Sequence, residues 1–558
     1  MALYVSRIHK IAWAILFIGT LLIARLVYLQ VLESPKLAIE GLSGRVAEVS
    51  LGPERGDIFD RNGILLTNTV QTFCIIIFPA QVVDPYEAAS QLVAFSSIDE
   101  NELMKRIRQA QRPFKLQTNI TEKVAETINQ LQIPGVLAVA EKNRYSYSSL
   151  AVHTTGYINV ADNQGVSGIE RMYDDILKGE QTEHVAALVD AGQQIIPGLG
   201  YTRLKLGNNL GPGNIILTID SRIQKIVENI MDKHEIRGAV VIMKPTTGEI
   251  LAMASRPKFD PTQIENYLTM KTAPFLNRAL SAYQPGSIFK LVVAAAALEN
   301  KVVRPDDIFF DPGYVDVSNR RFYGWDYEQG GRGNITFTDA MAYSSNPAFI
   351  TVGLKLGSDK LISFARQLGF GQHTQLAFYG EADGNLPDSS QPIYPGELAN
   401  LAIGQGSFEA TPLQFACLVS TILNDGVKVE PYLVSRLVDT RGRSIKSFSP
   451  APGVRVFSHQ TAEDMKKMMA AVTRYGTGEE AYVPGVGSAG KTGSAETGRM
   501  QQGKSVNHAW FAGYAPLQKP QYAAVVFVEE GHSGGDVAAP IFREIFSEVI
   551  ANTPSDDN

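Results

Sequence analysis

The strongest constraint on this chain lies at its amino end. Ile11 to Ala24 carries no charged residue, and apolar character resumes after Arg25 as far as Leu32. A helix over these 22 residues is long enough to cross a hydrocarbon core of about 30 Å. Arg7 and Lys10 precede it, which predicts a cytoplasmic amino terminus by the positive-inside rule. No small-residue cleavage site follows, so an uncleaved signal-anchor is expected rather than a removed signal peptide. Arg25 has two readings: snorkelling to the outer interface beside Tyr28, or an intramembrane contact with a partner helix. No second run reaches spanning length. About 525 residues are therefore expected outside the cell membrane of a single-pass protein, with the lipid bilayer itself as one partner.

A chain of 558 residues exceeds one ordinary core, so two or three folded units are expected. With 44% apolar and 19% charged residues it has a globular composition. A net charge of -6, with no Lys/Arg stripe interleaved with aromatics, argues against a nucleic-acid partner. Cys74 and Cys417, 343 positions apart, read as small buried hydrophobes rather than a disulfide.

The patterning divides the chain. Residues 1–33 are the cytoplasmic tip and anchor; 34–213 are mixed and rather polar; 214–553 are more regular; the polar tail Pro554–Asn558 is expected to be disordered. Phe73–Phe78 reads as a strand, residues 85–132 as short helices around Leu92, Leu103 and Ile107, and Gly207–Gly213 as a boundary. Beyond it, Ile215–Ile219 reads as a strand leading into an amphipathic helix capped by Asp220 or Ser221. Gly238–Lys244 and Glu249–Ser255 form a hairpin across Pro245–Gly248. His508–Tyr514 and Tyr522–Glu529 form a second strand pair, and a helix closes the chain from about Ala539 to Ile550. Strands at both ends of a domain with helices between predict an α+β fold around an antiparallel sheet flanked by helices.

Three short motifs carry chemistry. In Pro285-Gly286-Ser287-Ile288-Phe289-Lys290, the serine falls at a helix start and the lysine three positions later on the same face. Serine needs a base to accept its proton, and a lysine whose pKa is lowered by burial and positive charge can serve. Backbone N–H groups at the helix start help to hold negative charge. Ser344-Ser345-Asn346 follows 57 residues after Ser287. Its hydroxyl and carboxamide, two apart, can both face a cleft, Ser344 to relay a proton and Asn346 to hold a substrate carbonyl or Lys290. Gly490-Lys491-Thr492-Gly493-Ser494 precedes the C-terminal strand pair. On an edge strand, Lys491 would supply charge, Thr492 would bind a carboxylate, Gly493 would admit a substrate backbone, and the Ser494 N–H would complete an oxyanion hole. Each motif alone also fits an ordinary cap, turn or hairpin; their joint presence in this order does not.

This set resembles that of the penicillin-binding transpeptidases and serine β-lactamases. Arg55–Gly63, Gly165–Glu170 and Leu177–Gly179 are similar to the pedestal motifs of class B penicillin-binding proteins, and Val240–Ser255, Leu217–Asp220, Ala402–Gly406, Thr411–Gln414 and Gly535–Phe542 to their catalytic domain. The resemblance implies an elongated, dimerisation-type pedestal over 34–213 and a transpeptidase domain over 214–553. It implies acyl transfer from D-Ala-D-Ala stem peptides to an amine acceptor, a possible carboxypeptidase side activity, covalent binding of β-lactams, and no metal or cofactor. The eight histidines likewise show no metal-ligand spacing. A SEDS-type glycosyltransferase within a wall-synthesis complex for division, shape or sporulation is the implied partner. Ser494 stands where many relatives carry threonine, and it keeps the hydroxyl. Among Arg55, Asp57, Asp60, Arg61 and Glu170, a structural ion-pair network is expected in preference to a catalytic carboxylate pair. The anchor, the pedestal and the wide gap from Ser344 to Lys491 argue against a β-lactamase. The ten residues before the span argue against a signalling sensor, and the complete serine–lysine set against an inactive scaffold.

Overall fold

The computed structural model describes residues 2–33, 46–146, 148–190, 195–196, 200–206, 211–376, 378–388, 391–501 and 504–552. The expected Pro554–Asn558 tail and the Gly207–Leu210 part of the expected boundary lie outside them. Among the described residues one helix is long and apolar enough to cross a membrane, Ile8–Gln30. The Arg25 guanidinium lies 5.1 Å from the Tyr28 ring centroid.

The rest forms a mixed α+β chain in two compact units that do not follow linear order. One takes Met1–Glu54, Val70–Asn143 and Gly179–Gly211; the other takes Arg55–Thr69, Arg144–Lys178 and Pro212–Asn558.

In the first unit, strand Val70–Ile77 lies between Phe114–Ile120 and Val136–Asn143. Its apolar run is continuous because both faces are covered. Ile75 and Ile77 pack with Leu92, Leu103, Ile107 and Ile128 from three helices, while Cys74 and Ile76 pack with Val49, Val185 and Ala187. The helices are Pro85–Leu92, Glu100–Gln109 and Glu122–Gln130. The helical reading of 85–132 therefore needs one correction, since strand Phe114–Ile120 interrupts it, pairing with the central strand. Across Phe114-Lys115-Leu116-Gln117 apolar and polar residues alternate, a period of two that suits a sheet.

The second unit is built on a five-stranded antiparallel sheet. Its order is Ile250–Arg256, Gly238–Met243, Tyr522–Val528, Lys504–Ala515 and, at the edge, Ala489–Gln501. The first two strands are the expected hairpin, with Val240 opposite Ala254. Alternate residues feed opposite cores. Val241, Val525 and Phe527 pack beneath helices Lys290–Glu299, Pro412–Leu423 and His459–Tyr475. Val240, Ile242 and Val526 pack beneath Ser221–Lys233 and Ala539–Asn552. Asp220 caps Ser221–Lys233, accepting from the Arg222 N–H. In Lys290–Glu299 every residue from Lys290 to Leu298 is buried, as expected of a helix apolar all round. Both cysteines are free and buried.

The upstream charges are engaged structurally. Arg55 bonds Glu170 at 2.7 Å and Asp174 at 2.8 Å, Arg144 also pairs with Glu170, and the Tyr145 hydroxyl donates to Glu170 at 2.7 Å. Asp60 accepts from the backbone of Asn62, Ile64 and Ser221. The network joins segments 55–61, 144–145 and 163–174 within the second unit.

Candidate active site

The site is assembled by three pairwise approaches between the motifs. The first sets the serine turn against the edge strand. Gly286 has φ +58°, and a Cβ there would lie 2.4 Å from the Ser494 carbonyl oxygen, so both the conformation and the space demand glycine. Its N–H donates to the Gly404 carbonyl at 3.0 Å. Trp510 Nε1, fully buried, donates to the Gln284 carbonyl at 3.1 Å. A Cβ on Gly493 would lie 2.8 Å from the Pro285 oxygen and 3.1 Å from the Ile288 nitrogen. The half-buried Ser287 then enters the 3-10 turn Gly286–Phe289, which runs on into the helix beginning at Lys290.

The second approach joins Lys290 to the Ser-x-Asn turn. Lys290 is fully buried, and its Nζ lies 2.7 Å from the Ser344 carbonyl oxygen, 2.7 Å from Asn346 Oδ1 and 3.2 Å from Ser344 Oγ. Burial, then the nearby Lys491 charge, push Lys290 well below the usual lysine range, and Asp311 and Asp326 pull the other way. A neutral amine has two N–H donors and one lone pair. The carbonyl and carboxamide oxygens can only accept, so they take the two donors, and the lone pair is left for a hydroxyl proton. Asn346 Nδ2 donates to the Tyr323 carbonyl at 2.8 Å, which fixes the amide orientation. Ser344 has φ +58°, a left-handed conformation that costs a non-glycine residue about 1–3 kcal/mol. Ser345 points elsewhere, accepting from the Ala348 N–H to cap helix Asn346–Leu356. The motif thus needs Ser and Asn two apart, with a helix cap between them.

The third approach was not legible in the sequence. Thr477 Oγ1 lies 2.6 Å from Thr492 Oγ1, and the Thr477 N–H donates to the Ala342 carbonyl at 3.0 Å, just before the Ser344 turn. The only local signal was the tripeptide Gly476-Thr477-Gly478, where a Cβ on Gly476 would lie 2.3 Å from the Ala342 oxygen.

On the edge strand, Lys491 stands opposite Ala512 and Gly493 opposite Trp510. Lys491 is fully buried, donates to the Thr492 carbonyl at 2.9 Å, and is pushed down by burial to about 7. Thr492 is 6% exposed and engaged with Thr477, whereas Ser494 is exposed, with its hydroxyl oxygen accepting from the Gly534 N–H at 3.1 Å. All eight residues singled out in the sequence therefore sit in or beside one constellation. Away from it, Asp425, His459 and Glu463 come within 4.8 Å of one another, His459 and Glu463 four apart on one helix. This is a metal-like spacing that the sequence reading missed. Lys466 pairs with both carboxylates and already supplies a cation there.

Comparison with known proteins gives the family of the chain. The family model of the penicillin binding protein transpeptidase domain matches residues 238–547, and that of the penicillin-binding protein dimerisation domain matches 50–210. Stage V sporulation protein D of Bacillus subtilis is 33% identical over 549 residues, 94% of this chain and 82% of that protein. Peptidoglycan D,D-transpeptidase MrdA of Escherichia coli K12 is 26% identical over 617 aligned positions, 100% of this chain and 96% of that protein. The crystal structure of the D,D-transpeptidase domain of a peptidoglycan glycosyltransferase from Eggerthella lenta superposes with a TM-score of 0.65 at 25% identity, covering 89% of this chain and 98% of that one. The chain belongs to the class B penicillin-binding proteins, the serine-type peptidoglycan D,D-transpeptidases of cell-wall synthesis.

Proposed function

We propose that Ser287 is the nucleophile of this transpeptidase and Lys290 its general base. The observation that carries the reading is the Lys290 amine, buried and pushed toward its neutral form, with both N–H donors committed to Ser344 and Asn346. Lys290 takes the Ser287 proton as Oγ attacks the penultimate D-Ala carbonyl of a stem peptide. The N–H groups of Ser287 and Ser494 hold the oxyanion, and Ser344 Oγ passes the proton to the departing D-Ala nitrogen. Lys491, Thr492 and Ser494 bind the terminal carboxylate, and Gly493 lets the substrate backbone lie along the edge strand. A neighbouring stem's amine then attacks the acyl-serine, forming the cross-link and freeing Ser287. A β-lactam acylates the same oxygen through its strained amide.

In sequence order, residues 1–33 serve as anchor, 34–213 as pedestal and 214–553 as catalytic domain. The apolar helix with Arg7 and Lys10 before it supports a single-pass topology with the amino terminus in the cytoplasm. Because residues 50–210 match a dimerisation domain, the glycan strands are assigned to a separate SEDS-type polymerase. Fluorescent penicillin applied to membranes holding wild type or Ser287→Ala tests the site. A covalent adduct on wild type alone is expected; equal labelling of both removes Ser287 from the role.

A further inference from the structure

Between strands Ile308–Asp311 and Gly333–Thr336, which pair with Asp311 opposite Gly333, the chain makes an arch over the Ser344 turn. Two buried acids close it. Asp326, 3% exposed, holds Arg332 Nε at 2.7 Å and accepts the Gly331 N–H on its carbonyl. Asp311 is fully buried; its Oδ1 accepts from the Gly313 N–H at 2.8 Å, and its Oδ2 has no hydrogen-bond partner among the described residues. A buried carboxylate oxygen left without a donor is costly, so a compensating interaction is expected nearby.

The arch reaches Lys290 by two arms. The Tyr323 carbonyl accepts from Asn346 Nδ2, whose Oδ1 holds Lys290 Nζ. Arg332, tied to Asp326, stacks 4.6 Å from the ring centroid of Tyr343, the residue before Ser344, and 5.0 Å from that of Trp325. Trp325 Nε1 in turn donates to the Tyr343 carbonyl at 2.9 Å. The groups around Lys290 are thus Ser344 and Asn346 from the turn, the Phe349 ring at 5.5 Å from the next helix, Lys491 from the edge strand, and Asp311 and Asp326 from the arch.

We propose that Asp311 and Asp326 are positioning residues for acylation, holding the arch against the Ser344–Asn346 turn and setting, by their negative charge, the pH at which Lys290 becomes a base. They oppose Lys491, so the protonation of Lys290 reflects the Lys491 charge set against the two acids, with Asp326 itself held by Arg332. The inference rests on Lys290 being the general base.

The test is the pH dependence of the acylation rate constant, read with fluorescent penicillin on the full-length protein in detergent. Wild type is compared with Asp326→Asn and Asp311→Asn, both close in shape to the native side chain. Removing a negative charge favours the neutral amine, so the acid-side inflection is expected to move to lower pH by about half a unit to one unit in each variant. An inflection unmoved in both overturns the proposal. So does a loss of rate by the same factor at every pH, the mark of a merely structural role. Should Asp326→Asn fail to fold, Asp311→Asn decides alone, since its unpartnered oxygen loses no hydrogen bond. Failure of the wild type to be acylated, or labelling of Ser287→Ala, condemns the assignment of the nucleophile instead.

Discussion

Lys290 Nζ and Asn346 Oδ1 are 2.7 Å apart, although 56 positions separate them in the chain. The contact orients the amine: with one N–H on Asn346 and another on the Ser344 carbonyl, the lone pair of the neutral form can only meet a hydroxyl proton. A guanidinium cannot do this, because it keeps its charge at every accessible pH. Lys290→Arg is therefore expected to lower penicillin acylation by about 10²–10⁴-fold, the usual worth of a general base. Stopped-flow or gel-based acylation kinetics would show it, and a loss below tenfold would remove Lys290 from the role.

The roles proposed for Lys290 and Lys491 have opposite requirements. As the proposed base, Lys290 acts only when neutral, and because its pKa lies well below the ordinary lysine value, acylation should rise with pH across a range where a free lysine is still charged. In its proposed role Lys491 attracts a carboxylate only when charged, and with a pKa of about 7 that attraction fades as pH climbs through neutrality. KM for a carboxylate-bearing donor peptide is expected to rise above pH of about 7, whereas a neutral ester analogue should show no such rise. Parallel KM–pH curves for the two substrates would contradict the assignment.

Gly493 lets the edge strand touch the serine turn. In Gly493→Ala the new Cβ meets the Pro285 oxygen at 2.8 Å and the Ile288 nitrogen at 3.1 Å, so one backbone must withdraw. Overpacking of this kind costs about 1–3 kcal/mol. Acylation should fall at least about tenfold as the N–H groups of Ser287 and Ser494, the proposed oxyanion donors, separate. Gly498→Ala, with open space around it but φ +71°, serves as a control for local strain and should acylate near the wild-type rate.

The buried acid Glu170 pairs with both Arg55 and Arg144, and Asp174 supplies the second negative charge on Arg55. Glu170→Ala leaves the buried Arg144 without its acid partner and Arg55 with Asp174 alone, a change worth about 3–5 kcal/mol. Thermal unfolding should show a clear drop in midpoint, while the acylation rate of the remaining folded protein, measured well below that midpoint, should be unchanged. An acylation defect without a stability loss would instead revive a catalytic role for the upstream acids.

Much of this protein was readable from local pattern. The long amino-terminal apolar helix needs only a run of apolar residues, the Gly238–Arg256 hairpin only alternation and a turn, and the cap at Asp220 only an acid before an amphipathic helix. Even the role of Gly286 was implicit, since a tight turn before a helix start favours glycine. Where the local signal is divided, pattern alone misleads: Phe114–Ile120 sits among helices, and its pairing with the central strand makes it a strand. The segments 55–69 and 144–178 make their contacts in the unit that holds the sheet of Lys491, which their place in the sequence does not show.

The sequence by itself determined which chemical groups were available, their order, and the helix start, turn and strand that carry them, because propensity and periodicity act over a few residues. Only the tertiary structure decided that Thr477 meets Thr492, that Ser344 is held at positive φ, and that the buried Lys290 amine meets Ser344 and Asn346. Hydrogen bonds and Coulomb interactions depend on distance through space and on burial, and neither can be read from separation along the chain.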